Sequence, residues 1–111
     1  MMSERIPEYE AQMRGFGIEI VGSSEELIDK IDAVMVVTQQ GARHLSRARP
    51  FLERGMPTFI DKPFAATPEQ ASEIIALARQ HHAPLMGCSA LRYDPTIIEA
   101  LRRQDEWGPI L

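Results

Sequence analysis

Short apolar runs alternate with amphipathic segments along this chain. Residues 33–37 are all apolar, which is typical of a strand covered on both faces within a parallel sheet. Shorter apolar runs predict strands at residues 18–21, 58–60 and 84–88. Between these runs, apolar positions recur three and four residues apart and predict helices. The alternation predicts an α/β fold, a three-layer domain built on a parallel sheet with right-handed crossovers.

Several helix boundaries are marked by residues that favour helix ends. Residues 4–14 predict a helix whose apolar side chains share one face, and residues 23–26 form a capping box ahead of a short helix. Residues 67–70 combine a Thr cap, a proline at the first helical position and a Gln, and residues 94–95 repeat the pairing of cap and proline. Pro50 lies inside another predicted helix, where a proline costs about 3 kcal/mol, so we expect a kink or a restart there.

One predicted strand ends in an unusually reactive combination of side chains. The run of residues 56–60 is followed at once by Asp61, Lys62 and Pro63. Ligands of parallel sheets bind at the carboxyl ends of the strands. Because a following proline restricts the backbone of Lys62, an ammonium held beside a carboxylate can serve in hydrogen bonding and electrostatic stabilisation. The alternative is an ordinary turn between a strand and a helix, with a solvated lysine.

Composition narrows the classes of function. The chain has 111 residues, of which 44% are hydrophobic and 25% are charged, as in a single globular domain. Its net charge of −4 gives no basic field for nucleic acid, and no run reaches the roughly 20 apolar residues of a membrane span. Cys88 is the single cysteine, which excludes an intrachain disulfide and a cysteine-based metal site and agrees with a cytoplasmic location. We interpret Cys88 as a small apolar residue rather than a nucleophile.

Four segments in a specific order resemble a known enzyme family. They are residues 32–38, His44, residues 51–63 and residues 91–95. Together they resemble the glucose-fructose oxidoreductase, inositol dehydrogenase and rhizopine-catabolism (Gfo/Idh/MocA) family of NAD(P)-dependent oxidoreductases, over roughly residues 16–111. That family usually carries Glu-Lys-Pro at the end of its fifth strand, and residues 61–63 resemble an Asp-Lys-Pro variant of it.

The resemblance implies a function and a set of site residues. Lys62 would be the catalytic lysine beside the nicotinamide and the substrate hydroxyl, and Pro63 would follow a cis peptide bond. The cofactor would be NAD or NADP, and the substrate a small molecule such as a sugar, a polyol or a related hydroxyl or carbonyl compound. The cofactor-binding residues would be Thr38, Gln39, His44, Asp61, Lys62 and Arg92.

The chain also departs from the family pattern. Dinucleotide sites need a glycine-rich loop after the first strand, and this sequence has no G-x-G-x-x-G motif. We therefore expect an incomplete Rossmann-like domain over residues 1–107 that lacks the first βαβ unit. Residues 108–111, within an extended segment that begins at Trp107, would start a missing substrate domain. Such a chain is expected to have little or no activity alone.

Loss of the first strands would leave residues 33–37 at an open sheet edge, where another strand or another chain can pair with them. We expect residues 18–21 to close against that edge, or the chain to form a homo-oligomer through it. A second hypothesis follows, namely a non-catalytic interaction module that uses the open edge. A flavodoxin-like or receiver-like domain is disfavoured because no acidic cluster follows an early strand.

Overall fold

The computed structural model describes residues 5–108, which fall into two compact units divided after Ile31. Of the expected start of a substrate domain at residues 108–111, residues 109–111 lie outside the described residues, as does residue 4, the first residue of the predicted N-terminal helix. Among the described residues, no helix is long and apolar enough to cross a membrane.

The first unit contains one helix and a short 3-10 turn. Helix α1 spans Ile6–Gly15, as the apolar spacing predicts, and no residue of it is buried. Residues 18–21 form no strand, so the strand prediction there is wrong. Instead of the short helix predicted after residues 23–26, only a 3-10 turn forms at Glu25–Leu27, and Ser24 before it makes no side-chain capping hydrogen bond.

The second unit is built on three parallel strands. These are β1 (Val34–Val36), β2 (Thr58–Ile60) and β3 (Leu85–Gly87), which lie side by side in that order. Helices α2 (His44–Leu52) and α3 (Pro68–Gln80) form the two crossovers. The predicted parallel sheet with Rossmann-like connections is therefore confirmed.

The core of this unit lies on one face of the sheet. Helices α2 and α3 pack against each other and, with the strands, bury the side chains of Val36, Ala48, Leu52, Ile60, Ile74, Ala78 and Ala83. The cross-strand row of Met35, Phe59 and Met86 points to the other face, where Met35 is 66% exposed. The prediction that residues 33–37 are covered on both faces is therefore wrong. Two successive right-handed crossovers that progress in one direction put both helices on the same face.

The two strongest helix starts in the sequence form the caps that their residues predict. The Thr67 hydroxyl accepts a hydrogen bond from the Gln70 amide at 3.3 Å, and Asp94 Oδ1 accepts one from the Thr96 amide at 2.8 Å, so both predicted caps are confirmed. Helix α2 runs unbroken through Pro50, and the expected restart does not occur.

Two more helices end the described chain. Helix α4 spans Pro95–Arg102, and helix α5 spans Gln104–Trp107. Trp107 is therefore helical, and the extended segment predicted to begin there is wrong at that residue.

Candidate functional site

The ends of β2 and β3 enclose a small cavity at the carboxyl edge of the sheet. Strand β2 ends at Ile60 and leads directly into Asp61 and Lys62, while β3 ends at Gly87 and leads into Cys88 and Ser89. These residues, with Phe64, line a cavity of about 200 Å³. The peptide bond between Lys62 and Pro63 is cis, as the resemblance predicts.

Lys62 lies in a segment formed by residues 61–65, and we call this segment the Lys62 loop. The Asp61 amide donates to the carbonyl oxygen of Val36 at 3.0 Å, which ties the start of the loop to β1. The Phe64 ring covers Gly87 so closely that a Cβ atom on Gly87 would lie 2.5 Å from Cδ2 of the ring. Real Cβ atoms essentially never approach so near, so this packing requires a glycine.

His44 lies between the loops that follow β1 and β2. Its side chain is 0% exposed. Nε2 donates to the carbonyl oxygen of Thr38 at 2.6 Å, and Nδ1 faces the carbonyl oxygen of Phe64 at 3.3 Å. A carbonyl oxygen only accepts, so the short contact with Thr38 requires an N–H at Nε2. His44 thus links two loops from the protein interior, and its contact with a cofactor stays a prediction.

The remaining predicted site residues are not among the residues that line the cavity. The Thr38 hydroxyl oxygen is buried and has no hydrogen-bond partner within residues 5–108. Gln39 and Arg92 are exposed, the latter on a 3-10 turn at Ala90–Tyr93. The structure therefore brings Asp61 and Lys62 together with Cys88 and Ser89, and leaves Thr38, Gln39, His44 and Arg92 outside that lining.

The ammonium of Lys62 is available to a ligand. Lys62 is exposed, and it makes no ion pair within the described part of the chain. Lys30, the other lysine in the sequence, is instead paired with Glu19, and that hydrogen bond raises the pKa of Lys30. Asp61 likewise makes no ion pair among residues 5–108, so the carboxylate and the ammonium are adjacent in sequence without being bonded to each other.

Size and donor chemistry fit one end of a dinucleotide. Whole small-molecule sites occupy about 300–1,000 Å³. A cavity of about 200 Å³ therefore suits only a part of such a ligand, such as a nicotinamide ring. Lys62, which lines the cavity and is exposed, supplies a donor there. No glycine-rich turn follows a strand within residues 5–108, so these residues provide no cradle for the pyrophosphate.

Two cavity residues lie outside the segments from which the sequence predicts a site. The sequence predicts Gly87 only as part of a strand and Cys88 only as a small apolar residue, although both line the cavity. The signal that identifies Gly87 is its place at the end of an apolar strand, since Gly often marks a close approach of other atoms to the backbone.

Comparison with known proteins decides the family. The model of an oxidoreductase family with an NAD-binding Rossmann fold, Gfo/Idh/MocA, matches residues 1–87, which is more than half of the chain. The chain belongs to this oxidoreductase family. The family resemblance inferred from the Asp-Lys-Pro segment is therefore confirmed, and so is the expected Rossmann-like fold class.

Three relatives illustrate the similarity, and each is much longer than this chain. UDP-N-acetylglucosamine 3-dehydrogenase of Acidithiobacillus ferrooxidans is 30% identical over 95 residues, which cover 86% of this chain and 29% of that protein. A Gfo/Idh/MocA family oxidoreductase from Vibrio cholerae has a TM-score of 0.75 at 27% identity, covering 92% of this chain and 33% of its own. A candidate oxidoreductase from Bacteroides fragilis has a TM-score of 0.64 at 29% identity, covering 91% and 30%. The chain spans about a third or less of the length of these relatives.

Proposed function

We propose that this chain forms the nicotinamide-side part of an NAD(P)-dependent oxidoreductase site. The observation that carries the proposal is the open Lys62 ammonium at the rim of a cavity between the carboxyl ends of two parallel strands. The NAD-binding family to which the chain belongs supports a nicotinamide dinucleotide as the ligand. The substrate is a sugar, a polyol or a related hydroxyl or carbonyl compound, in keeping with a relative named for a sugar nucleotide.

Lys62 is the catalytic residue of this proposal. Oxidation of an alcohol removes a hydride from carbon and a proton from oxygen, and a nicotinamide dinucleotide would supply the hydride acceptor when bound. The amine form of Lys62 Nζ accepts the hydroxyl proton, and the ammonium form returns it to the carbonyl oxygen in the reverse direction. Asp61 and Ser89 line the same cavity and can orient the reacting groups. Thr38, Gln39, His44, Asp61 and Arg92 are the proposed cofactor-side residues.

The proposal covers a part of an enzyme. Because the matched relatives are about three times longer, we propose that residues 1–107 act as a partial nucleotide-binding domain with little or no turnover alone. We further propose a cytoplasmic location, a small-molecule substrate and no role for nucleic acid or membranes.

The open edge of β1 supports a second candidate function. Strand β1 pairs with β2 and has no second neighbouring strand within the described residues. An unpaired strand edge presents free amide and carbonyl groups to another chain. The chain would then be an interaction module that joins a partner, or a second copy of itself, through β1.

Titration with NADH and NADPH tests the first function. The sequence contains two lysines, Lys62 and Lys30, so Lys62→Met and Lys30→Met form a matched pair. We expect millimolar cofactor to raise the melting temperature of the wild type and of Lys30→Met, and to have a weaker effect on Lys62→Met.

Two other outcomes are informative. Equal stabilisation of all three proteins would contradict a role for Lys62. No stabilisation of any of them, combined with a concentration-dependent dimer in light scattering, would favour the interaction module.

A further inference from the structure

The Lys62 side chain is not held by an ion pair among the described residues, and it is exposed. Its direction is therefore set by the backbone of the Lys62 loop. We propose that Phe64 is the positioning residue that fixes this loop and thereby aims Lys62 at the cavity. The inference rests on the proposed role of Lys62.

The ring of Phe64 fixes the loop to the end of β3. It occupies the space where a side chain would begin at position 87, with Cδ2 and Cε2 at 2.5 Å and 3.0 Å from an ideal Cβ atom built on Gly87. The same ring packs against the hydrophobic core formed by the strands with α2 and α3. The ring can therefore neither slide along β3 nor move outward without losing apolar contact.

The backbone around Phe64 is confined from the opposite side. Its carbonyl oxygen faces Nδ1 of the buried His44 at 3.3 Å. A Cβ atom on Gly41 would lie 3.0 Å from both the Ala65 carbonyl carbon and the Pro63 ring, so the 3-10 turn at Gly41–Arg43, which precedes α2, packs closely against the loop. Phe64 is thus the point at which the loop is held by β3 on one side and by this turn and His44 on the other. Lys62 lies two residues away.

Truncation of this ring tests the inference. We expect Phe64→Ala to fold and to lower the ¹⁵N heteronuclear NOE at the amides of Asp61 and Lys62. The order parameters there should fall from the rigid range of about 0.85 towards 0.6 or lower. NADH affinity should fall about tenfold, which corresponds to 1.4 kcal/mol. Phe64→Leu keeps an apolar side chain on Gly87 and should recover most of both losses.

Leu77→Ala is the control for a merely structural effect. Leu77 packs against the same core from α3 and does not line the cavity. We expect it to lower the melting temperature as Phe64→Ala does, while the order parameters of the Asp61 and Lys62 amides and the NADH affinity stay at wild-type values. Unchanged order parameters in Phe64→Ala, or an equal change in Leu77→Ala, would overturn the inference.

The order parameters and the NADH affinity together separate this inference from the proposed function. If the wild type binds no NADH, the proposed function fails for this chain, but the order parameters of free Phe64→Ala still decide whether Phe64 holds the loop. If Phe64→Ala unfolds, Gly87→Ala perturbs the same contact without loss of volume, because its added methyl group displaces the Phe64 ring. A loop that stays rigid in Gly87→Ala would also overturn the inference.

Discussion

Gly87→Ala adds one methyl group at the end of β3, and the packing there determines how much this substitution destabilises the fold. The new Cβ atom would lie 2.5 Å from Cδ2 of Phe64 and 3.1 Å from the carbonyl oxygen of Ile60. Carbon atoms in favourable contact are about 3.5–4.0 Å apart, so the ring must retreat by about 1 Å or more. Gly87 is not among the glycines with positive φ, so its backbone itself can accept an alanine.

The expected change is a net destabilisation of about 1–2 kcal/mol. Overpacking of a close contact costs about 1–3 kcal/mol, and replacement of glycine by alanine returns about 0.4–1 kcal/mol by restricting the unfolded chain. Urea unfolding followed by far-UV circular dichroism measures the difference. Gly15→Ala is the matched control, because a Cβ atom there meets nothing within 4 Å, and it should be neutral or slightly stabilising.

A double-mutant cycle identifies the contact responsible. In a Phe64→Ala background the ring is gone, so Gly87→Ala should cost little, and the two substitutions should be coupled by about 1 kcal/mol. Additive effects, or a Gly87→Ala variant as stable as the wild type, would refute the packing of Phe64 on Gly87.

Three further predictions concern the rest of the fold. Leu52→Ala, at a fully buried position, should cost about 2–5 kcal/mol in urea unfolding, whereas Met35→Ala on the exposed face should cost less than about 0.5 kcal/mol; equal costs would contradict the one-sided core. Thr67→Ala removes the cap of α3 and should cost about 1 kcal/mol by thermal unfolding, and no loss would contradict the cap. The pKa of Glu69 is lowered by hydrogen bonds that its carboxylate accepts from its own backbone amide and from the Thr67 hydroxyl. The contribution of this carboxylate to stability is therefore present at neutral pH and is lost as pH falls through that lowered pKa. Glu69→Gln should therefore be less stable than the wild type at pH 7, and the gap should close on acidification below about pH 4.3; a gap that widens in acid would contradict the shift.

The sequence pattern predicted the second unit well because its strands and helices carry local signals. The apolar run at residues 33–37 and the cap at Thr67 need no knowledge of distant residues. Residues 18–21 carry the same local signal, yet they form no strand, because a strand also requires a neighbour with which to pair. The same limit applies to Met35, whose exposure depends on which face the crossover helices cover.

The candidate site also contains features that the local sequence predicts and features that it does not. Lys62 and Asp61 were identified because they follow an apolar run directly and resemble a family motif. The packing of Phe64 on Gly87, and the link from His44 to Thr38 and Phe64, join residues from different loops. No spacing in the sequence indicates such contacts, since they exist only once the three strands lie side by side.

The most direct test of the proposed nicotinamide site is a titration of the lysine side-chain signals with cofactor. With two lysines in the sequence, a ¹H–¹³C spectrum of lysine Cε groups contains one signal from Lys62 and one from Lys30. Addition of NADH or NADPH should shift the Lys62 signal saturably and leave that of Lys30, which is paired with Glu19, in place. A Lys62 signal that stays fixed at millimolar cofactor, or two signals that move together, would contradict a nicotinamide site at the ends of β2 and β3.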